Sequence, residues 1–263
     1  MVAAEPAAAP VPALHLQQLA KRFGQKVAVD GLTLAVPQGS LFGLVGPNGA
    51  GKTTTLSMAT GLLRPDHGSA AVLGRDVWHD PAAAKAIMGV LPDGVHLFDR
   101  LTGAELLRCT GLLRGMPEAD VVARAADLLG ALGLDGTGGT AVADYSAGMR
   151  KKIALACALI HAPRLLVLDE PFESVDPVSG EAIRAILRGF VASGGTVVLS
   201  SHVMELVESL CDRVAVVAEG RLLATGTLDE VRAGTSLQQR FVQLVGREAL
   251  GTETLAWLRS ASR

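Results

Sequence analysis

The chain has 263 residues, of which 49% are hydrophobic and only 3% aromatic, so Ala, Val and Leu must fill a core large enough for one bilobed domain or two small ones. Its net charge is −2 with both signs interspersed, which argues against a polyanion-binding surface and against nucleic acid as a partner. The longest apolar run, 153–160, falls far short of the ~20 residues needed to cross a bilayer.

Residues 1–12 are rich in Ala and Pro and carry Glu5 but no Lys or Arg. They lack the charged and apolar regions of a secretory signal and read as a disordered lead-in to a cytoplasmic protein. From about Leu14 to Gly74, short apolar runs alternate with Gly and Pro turns, predicting strands around a single strong helix. That helix, expected over 54–63, follows Gly46-Pro47-Asn48-Gly49-Ala50-Gly51-Lys52-Thr53, and an apolar strand, Leu41 to Val45, precedes it. Gly-x-x-x-x-Gly-Lys-Thr between strand and helix is a phosphate cradle, in which backbone N–H groups and the helix N-terminus converge on phosphate oxygens. Lys52 is placed to reach the outer phosphates and the Thr53 hydroxyl to bind Mg²⁺. Gly46, Asn48, Gly49, Ala50, Gly51, Lys52, Thr53 and Thr54 are therefore the candidate nucleotide-binding residues. Without its flanks the same loop would be a plain glycine turn.

The stretch 82–161 is mostly helical by pattern, with apolar residues at three- and four-residue spacing over 105–113 and 121–132 and a break at Met116-Pro117-Glu118. Ser146 is the predicted N-cap of a further apolar helix running to His161. Ser-Ala-Gly before a helix fits ordinary capping as well as a second phosphate-binding helix end. Beyond Arg164, the runs 165–168, 196–199 and 214–217 read as buried parallel strands joined by helical crossovers. The first of them ends in Asp169-Glu170. Opposite a phosphate loop these fit a Mg²⁺ ligand, Asp169, and a base that polarises a water, Glu170; a solvated strand end before Pro171 is the alternative. Cys109, Cys157 and Cys211 lie far apart without metal spacing and read as small core residues. The tail 235–263 is weakly patterned, with helices the only expectation.

Gly46 to Thr53, Ser146 to Met149, Leu165 to Glu170, Ser174 to Asp176 and His202, in that order, resemble the ATP-binding subunits of ABC transporters over about 14–234. The resemblance implies an α/β fold: a P-loop NTPase of the ABC type, with a mostly parallel sheet core, an N-terminal antiparallel β part and an inserted helical subdomain at about 82–162. Residues 1–13 would then be the lead-in and 235–263 a C-terminal tail. It implies a dimer that sandwiches ATP and Mg²⁺, with Lys52 of one copy and Ser146, Ala147 and Gly148 of the other on the same nucleotide. The partner copy would be the chain itself or a related ATPase subunit. Phe23 stands where the family stacks a ring on adenine, His202 where it has a γ-phosphate switch, and Asp176 in the loop crossing the dimer seam. The product of such a machine is movement of a separate transmembrane permease, docked at a cleft around 91–102 on the inner face of the cell membrane. The tail segment Leu237-Gln238-Gln239-Arg240-Phe241 is similar to subunits serving exporters.

Three departures from the family pattern stand out. Asp93 replaces a glutamine that touches Mg²⁺, and it could equally hold a Pro-Asp-Gly turn. Ala147 and Met149 replace a glycine and a glutamine, and Glu173 replaces a small polar residue. They leave room for a nucleotide-gated regulator with little turnover. A soluble ATPase acting on DNA or ribosomes is a further alternative, but neither a heptad run nor a Cys pair separates Lys52 from Ser146.

Overall fold

A computed structural model describes residues 10–94 and 96–245. The predicted disordered lead-in falls mostly on 1–9, and the end of the predicted tail on 246–263; both lie outside the described residues.

Two sheets build the molecule. The first is antiparallel, in the order β2 (Lys26–Val36), β1 (Leu14–Phe23), β4 (His67–Val72), β5 (Arg75–Asp76). The second has six strands ordered β10 (Arg221–Thr227), β9 (Arg213–Ala218), β3 (Leu41–Val45), β8 (Thr196–Ser201), β7 (Leu165–Leu168), β6 (Met88–Leu91). Every pairing in it is parallel except that of the edge strand β10.

The apolar runs are continuous because both faces of this second sheet are covered. In β7, Leu165 and Val167 enter one core, shared with the antiparallel sheet and α1 (Lys52–Ala59). Leu166 and Leu168 enter the other, shared with α3 (Gly103–Leu113), α5 (Ala147–Leu159), α6 (Pro177–Ala192) and α7 (Met204–Leu210). Each such leucine, fully buried, contributes on the order of 2 kcal/mol.

Two helix ends need correction, and the middle block gains a strand. The helix after the phosphate loop ends at Ala59, not 63, because Gly61 turns the chain at φ 75° and the Leu62 and Leu63 amides bond back to the Ser57 carbonyl. The stretch 82–161 is mostly helical, as its pattern predicts, and includes one strand. It holds α2 (Pro81–Ala86), α3, α4 (Glu118–Ala131) and α5, but Met88–Leu91 is β6, an edge strand of the six-stranded sheet whose Gly89 interrupts the apolar run. The helix capped by Ser146 stops at Leu159, short of His161. Strand β10 was not anticipated; its half-exposed alternation lacks the apolar run that marks its neighbours. After α8 (Leu228–Arg232), the tail forms α9 (Leu237–Val245), seated by the buried Leu237. Of the three cysteines only Cys211 is buried; Cys109 and Cys157 are half-buried. Among the described residues no helix is long and apolar enough to cross a membrane.

Candidate nucleotide site

The carboxyl ends of four adjacent parallel strands, β3, β8, β7 and β6, deliver the phosphate loop, Ser200 to His202, Asp169–Glu170 and Asp93 to one edge of the sheet. Ligands bind to open parallel sheets at that edge. Loop geometry depends on glycine where backbone passes close to backbone. A Cβ on Gly46 would lie 2.2 Å from the Val217 carbonyl oxygen, and one on Gly51, at φ 99°, 2.4 Å from the Ala28 carbonyl oxygen. The turn joining β9 to β10 supports the loop from beneath: the Gly220 amide donates to the Ala50 carbonyl at 3.0 Å, and the Asp30 amide to the Gly220 carbonyl at 2.9 Å.

Lys52 begins α1 with its side chain 6% exposed. Its ammonium donates to the Gly46 carbonyl at 2.8 Å and the Pro47 carbonyl at 3.2 Å, and lies 3.5 Å from Glu170 Oε1. The other oxygen of Glu170, Oε2, is 3.1 Å from His202 Nδ1. Glu170 adopts a left-handed backbone, φ 46°, which costs a non-glycine residue about 1–3 kcal/mol and is a common mark of functional sites. The surrounding bonds hold it there: the Glu170 amide donates to Ser200 Oγ at 2.9 Å, and the Ser200 hydroxyl donates to Asp169 Oδ1.

These residues open onto a cleft of about 460 Å³ lined by Phe23, Lys26, Asn48 to Thr54, Asp93, Glu170, Glu173 and His202. Phe23 and Lys26 face each other across the hairpin of β1 and β2, so both present to the same side. The Phe23 ring is 50% exposed, with the Lys21 ammonium 5.8 Å from its centre. A flat exposed ring beside a phosphate cradle offers a stacking surface for a base. A smaller cavity of about 40 Å³ adjoins the cleft and is lined in part by Thr53, Asp93 and Asp169. A hydroxyl and two carboxylates are the hard oxygen donors that Mg²⁺ takes, and it usually adds substrate phosphates and water to one or two protein carboxylates. Among the described residues no group of three or more His, Cys, Asp or Glu could hold a metal ion by itself. Asp93 also makes its turn, Oδ1 accepting from the Gly94 amide at 2.9 Å.

Six predicted site residues do not line this cleft: Gly46 begins the phosphate loop, Asp169 lines the adjoining cavity, and Ser146, Ala147, Gly148 and Asp176 belong to other segments. Ser146 caps α5, its Oγ accepting from the Met149 amide at 3.2 Å; Asp176 caps α6, accepting from the Ser179 amide at 3.0 Å. The bonds from Ser179 hold the Asp176 carboxyl below its usual range. A Cβ on Gly148 would stand 3.7 Å from the Ser174 carbonyl oxygen and 3.8 Å from Asp176 Oδ2, so these segments are neighbours. None of Ser146, Ala147, Gly148 and Asp176 lines the cleft that holds Lys52 in the same chain. The segment before Ser146 is tied to the 98–102 turn, the Ala143 amide donating to the Asp99 carbonyl and the Val142 amide to the Leu101 carbonyl, each at 2.8 Å.

Three residues that the motifs did not single out join the site. Ser200 ties the two acids, Lys26 adds a cation to the cleft, and Gly220 supports the loop. For Ser200 the signal was a serine pair ending an otherwise apolar strand; Lys26 and Gly220 carry no sequence signal of their own.

The family described as ABC transporter matches residues 29–173. The chain is similar to the linearmycin resistance ATP-binding protein LnrL of Bacillus subtilis (strain 168), 37% identical over 214 residues, 81% of this chain and 69% of that protein. It is similar also to the daunorubicin/doxorubicin resistance ATP-binding protein DrrA of Streptomyces peucetius, 38% identical over 224 residues, 85% of this chain and 68% of that one. A solved structure of the ATP-binding subunit of an ABC transporter superposes with a TM-score of 0.83 at 30% identity, covering 89% of this chain and all of its own.

Proposed function

This chain belongs to the ABC transporter family as an ATP-binding subunit that hydrolyses ATP, and on that premise we propose that it drives a separate transmembrane permease in the direction of export. The export direction is supported by the names of its relatives, which confer resistance to linearmycin and to daunorubicin or doxorubicin. The subunit would work on the inner face of the cell membrane, held there by the permease. Its ATPase domain would span 14–234, with a helical subdomain within about 82–162.

One observation supports the mechanism: Ser146, Ala147 and Gly148 do not line the cleft that holds Lys52 in the same chain. Two copies, or one copy and a related subunit, placed head to tail would bring Ser146, Ala147 and Gly148 of each against the cleft of the other. Lys52 would bind the outer phosphates, the amides of 48–54 the remaining phosphate oxygens, and Phe23 the adenine face. Thr53, Asp169 and Asp93 would hold Mg²⁺, which when bound with ATP neutralises phosphate charge. Glu170 would take the proton of the attacking water, with its carboxylate aimed by Lys52 on one side and His202 on the other. Because the closed pair is favoured by ATP and loosened after hydrolysis, the difference between the two states can be passed to the permease. The receiving face would be the 91–102 segment, where Phe98, Leu101 and Cys109 help to line a cleft of about 270 Å³ and the Phe98 side chain stands 65% exposed. The backbone bonds from 99 and 101 to 142–143 join that face to Ser146.

The test is Glu170→Gln. It should bind ATP as the parent does, lose turnover and accumulate as a closed dimer. Hydrolysis at the parent rate would remove Glu170 from this role. Co-purification with a polytopic membrane protein, rather than with ribosomes or DNA, tests the permease.

A further inference from the structure

We infer that Ser200 is a positioning residue for hydrolysis, a single buried hydroxyl that sets the metal-side acid Asp169 and the water-side acid Glu170 in register with each other. The inference rests on the roles proposed above for those two acids and assigns what holds them.

Parallel register is the starting point. Leu168 of β7 pairs with Leu199 of β8, so the next residue on each strand, Asp169 and Ser200, emerges side by side at the carboxyl end of the sheet. Side-chain alternation carries Ser200 to the same face as Val198, and Asp169 to the same face as Val167, the face covered by α1 and the phosphate loop. Ser200 is fully buried, and Asp169 is 3% exposed.

A serine hydroxyl has one proton to give and lone pairs to accept with. The Glu170 amide must donate, so it takes a lone pair of Ser200 Oγ, at 2.9 Å. The single hydroxyl proton is then directed to Asp169 Oδ1. Two consequences follow. The hydroxyl occupies one oxygen of Asp169, which fixes the rotation of a carboxylate lining the cavity shared with Thr53 and Asp93. It also anchors the peptide of Glu170, whose left-handed φ of 46° would relax if that amide had no acceptor. The same strand end then continues to His202, which meets the Glu170 carboxylate at Oε2. The end of strand β8 and the residue after it therefore hold Glu170 by its backbone through Ser200 and by its side chain through His202, while Ser200 also orients Asp169.

The experiment compares Ser200→Ala, Ser200→Thr, Glu170→Gln and Asp169→Asn in the full chain, reading steady-state phosphate release, the Mg²⁺ concentration giving half-maximal turnover, ATP binding and thermal midpoint. Ser200→Ala should lower turnover at saturating MgATP about tenfold or more, the scale of a lost hydrogen bond to a charged group, and raise the half-maximal Mg²⁺ several-fold. Its ATP affinity should stay near the parent's. Ser200→Thr, which keeps the hydroxyl, should recover the Mg²⁺ requirement. Parent turnover and parent Mg²⁺ requirement in Ser200→Ala, beside an inactive Glu170→Gln, would overturn the inference and leave the proposed function standing. So would reduced turnover with an unchanged Mg²⁺ requirement, which is the result of packing alone. An active Glu170→Gln would instead overturn the roles on which the inference depends.

Discussion

Lys52 and Glu170 face each other at 3.5 Å between ammonium nitrogen and carboxylate oxygen, both side chains largely withdrawn from solvent. The ammonium also donates to two loop carbonyls, so it is held in the cradle by three oxygens. A point charge on a flexible stem suits that position, whereas the planar fork of arginine does not. Lys52→Ala should weaken ATP binding at least about tenfold, the scale of losing a hydrogen bond to a charged partner, and Lys52→Arg should not restore it. Fluorescence titration with a nucleotide analogue reads both; parent affinity in Lys52→Ala would remove Lys52 from the phosphates.

Gly46 and Gly49 differ in what surrounds them. A methyl group on Gly46 meets a backbone oxygen that cannot move aside, while Gly49 has open space but φ 82°. Gly46→Ala should therefore cost about 1–3 kcal/mol through overpacking. Gly49→Ala should cost about 1 kcal/mol through its backbone conformation alone. Chemical denaturation of the two variants gives the order directly, and equal costs would contradict the close approach of Val217.

Because Ser146 does not line the cleft that holds Lys52 in the same chain, a mixing experiment is decisive. Lys52→Ala and Ser146→Ala should each abolish or strongly reduce turnover, with Ser146→Ala also losing about 1 kcal/mol of helix-cap stability. Mixed together, the two variants should regain turnover that neither has alone, because a mixed pair contains one site with both residues intact. Failure of the mixture while the parent is active would argue that each chain hydrolyses ATP by itself.

His161 carries a buried Nδ1 with no hydrogen-bond partner, while its Nε2 lies 3.1 Å from the Met88 carbonyl oxygen. Burial, helped by the charge of Arg114, lowers its pKa from 6.5 to about 4. Since the folded state disfavours the proton that the unfolded chain takes up, stability is complete above pH 6.5 and declines as the pH falls toward about 4. His161→Gln should flatten that part of the profile. Urea midpoints for parent and variant at pH 7 and pH 5 check it, and identical slopes would dismiss His161 as the cause.

Much of the site was legible because its chemistry is local. The phosphate loop is one contiguous segment between a strand and a helix, and Asp169–Glu170 ends an apolar run whose burial the sequence already implied. What stayed hidden depends on neighbours distant in sequence. Strand β6 carries Gly89, which interrupts the apolar run that marks the equally short β7, and it is a strand because β7 pairs with it. Strand β10 pairs only at the sheet edge, and its half-exposed residues carry no run. The ends of α1 and α5 were overshot because helical spacing continues past the glycine and left-handed turns that stop them, at Gly61 and Ala162. Lys26 reaches the cleft only because the hairpin sets it opposite Phe23.

By itself the sequence determined the ligand class, the order of the motifs and the two-faced burial of the central strands, since each is written in residues adjacent along the chain. Only the tertiary structure decided that Ser200 stands beside Asp169, that Gly220 supports the phosphate loop, and that Ser146 lies outside the cleft holding Lys52. Those relationships are fixed by strand order and register, which join residues far apart in sequence and leave no periodic signature in either partner alone.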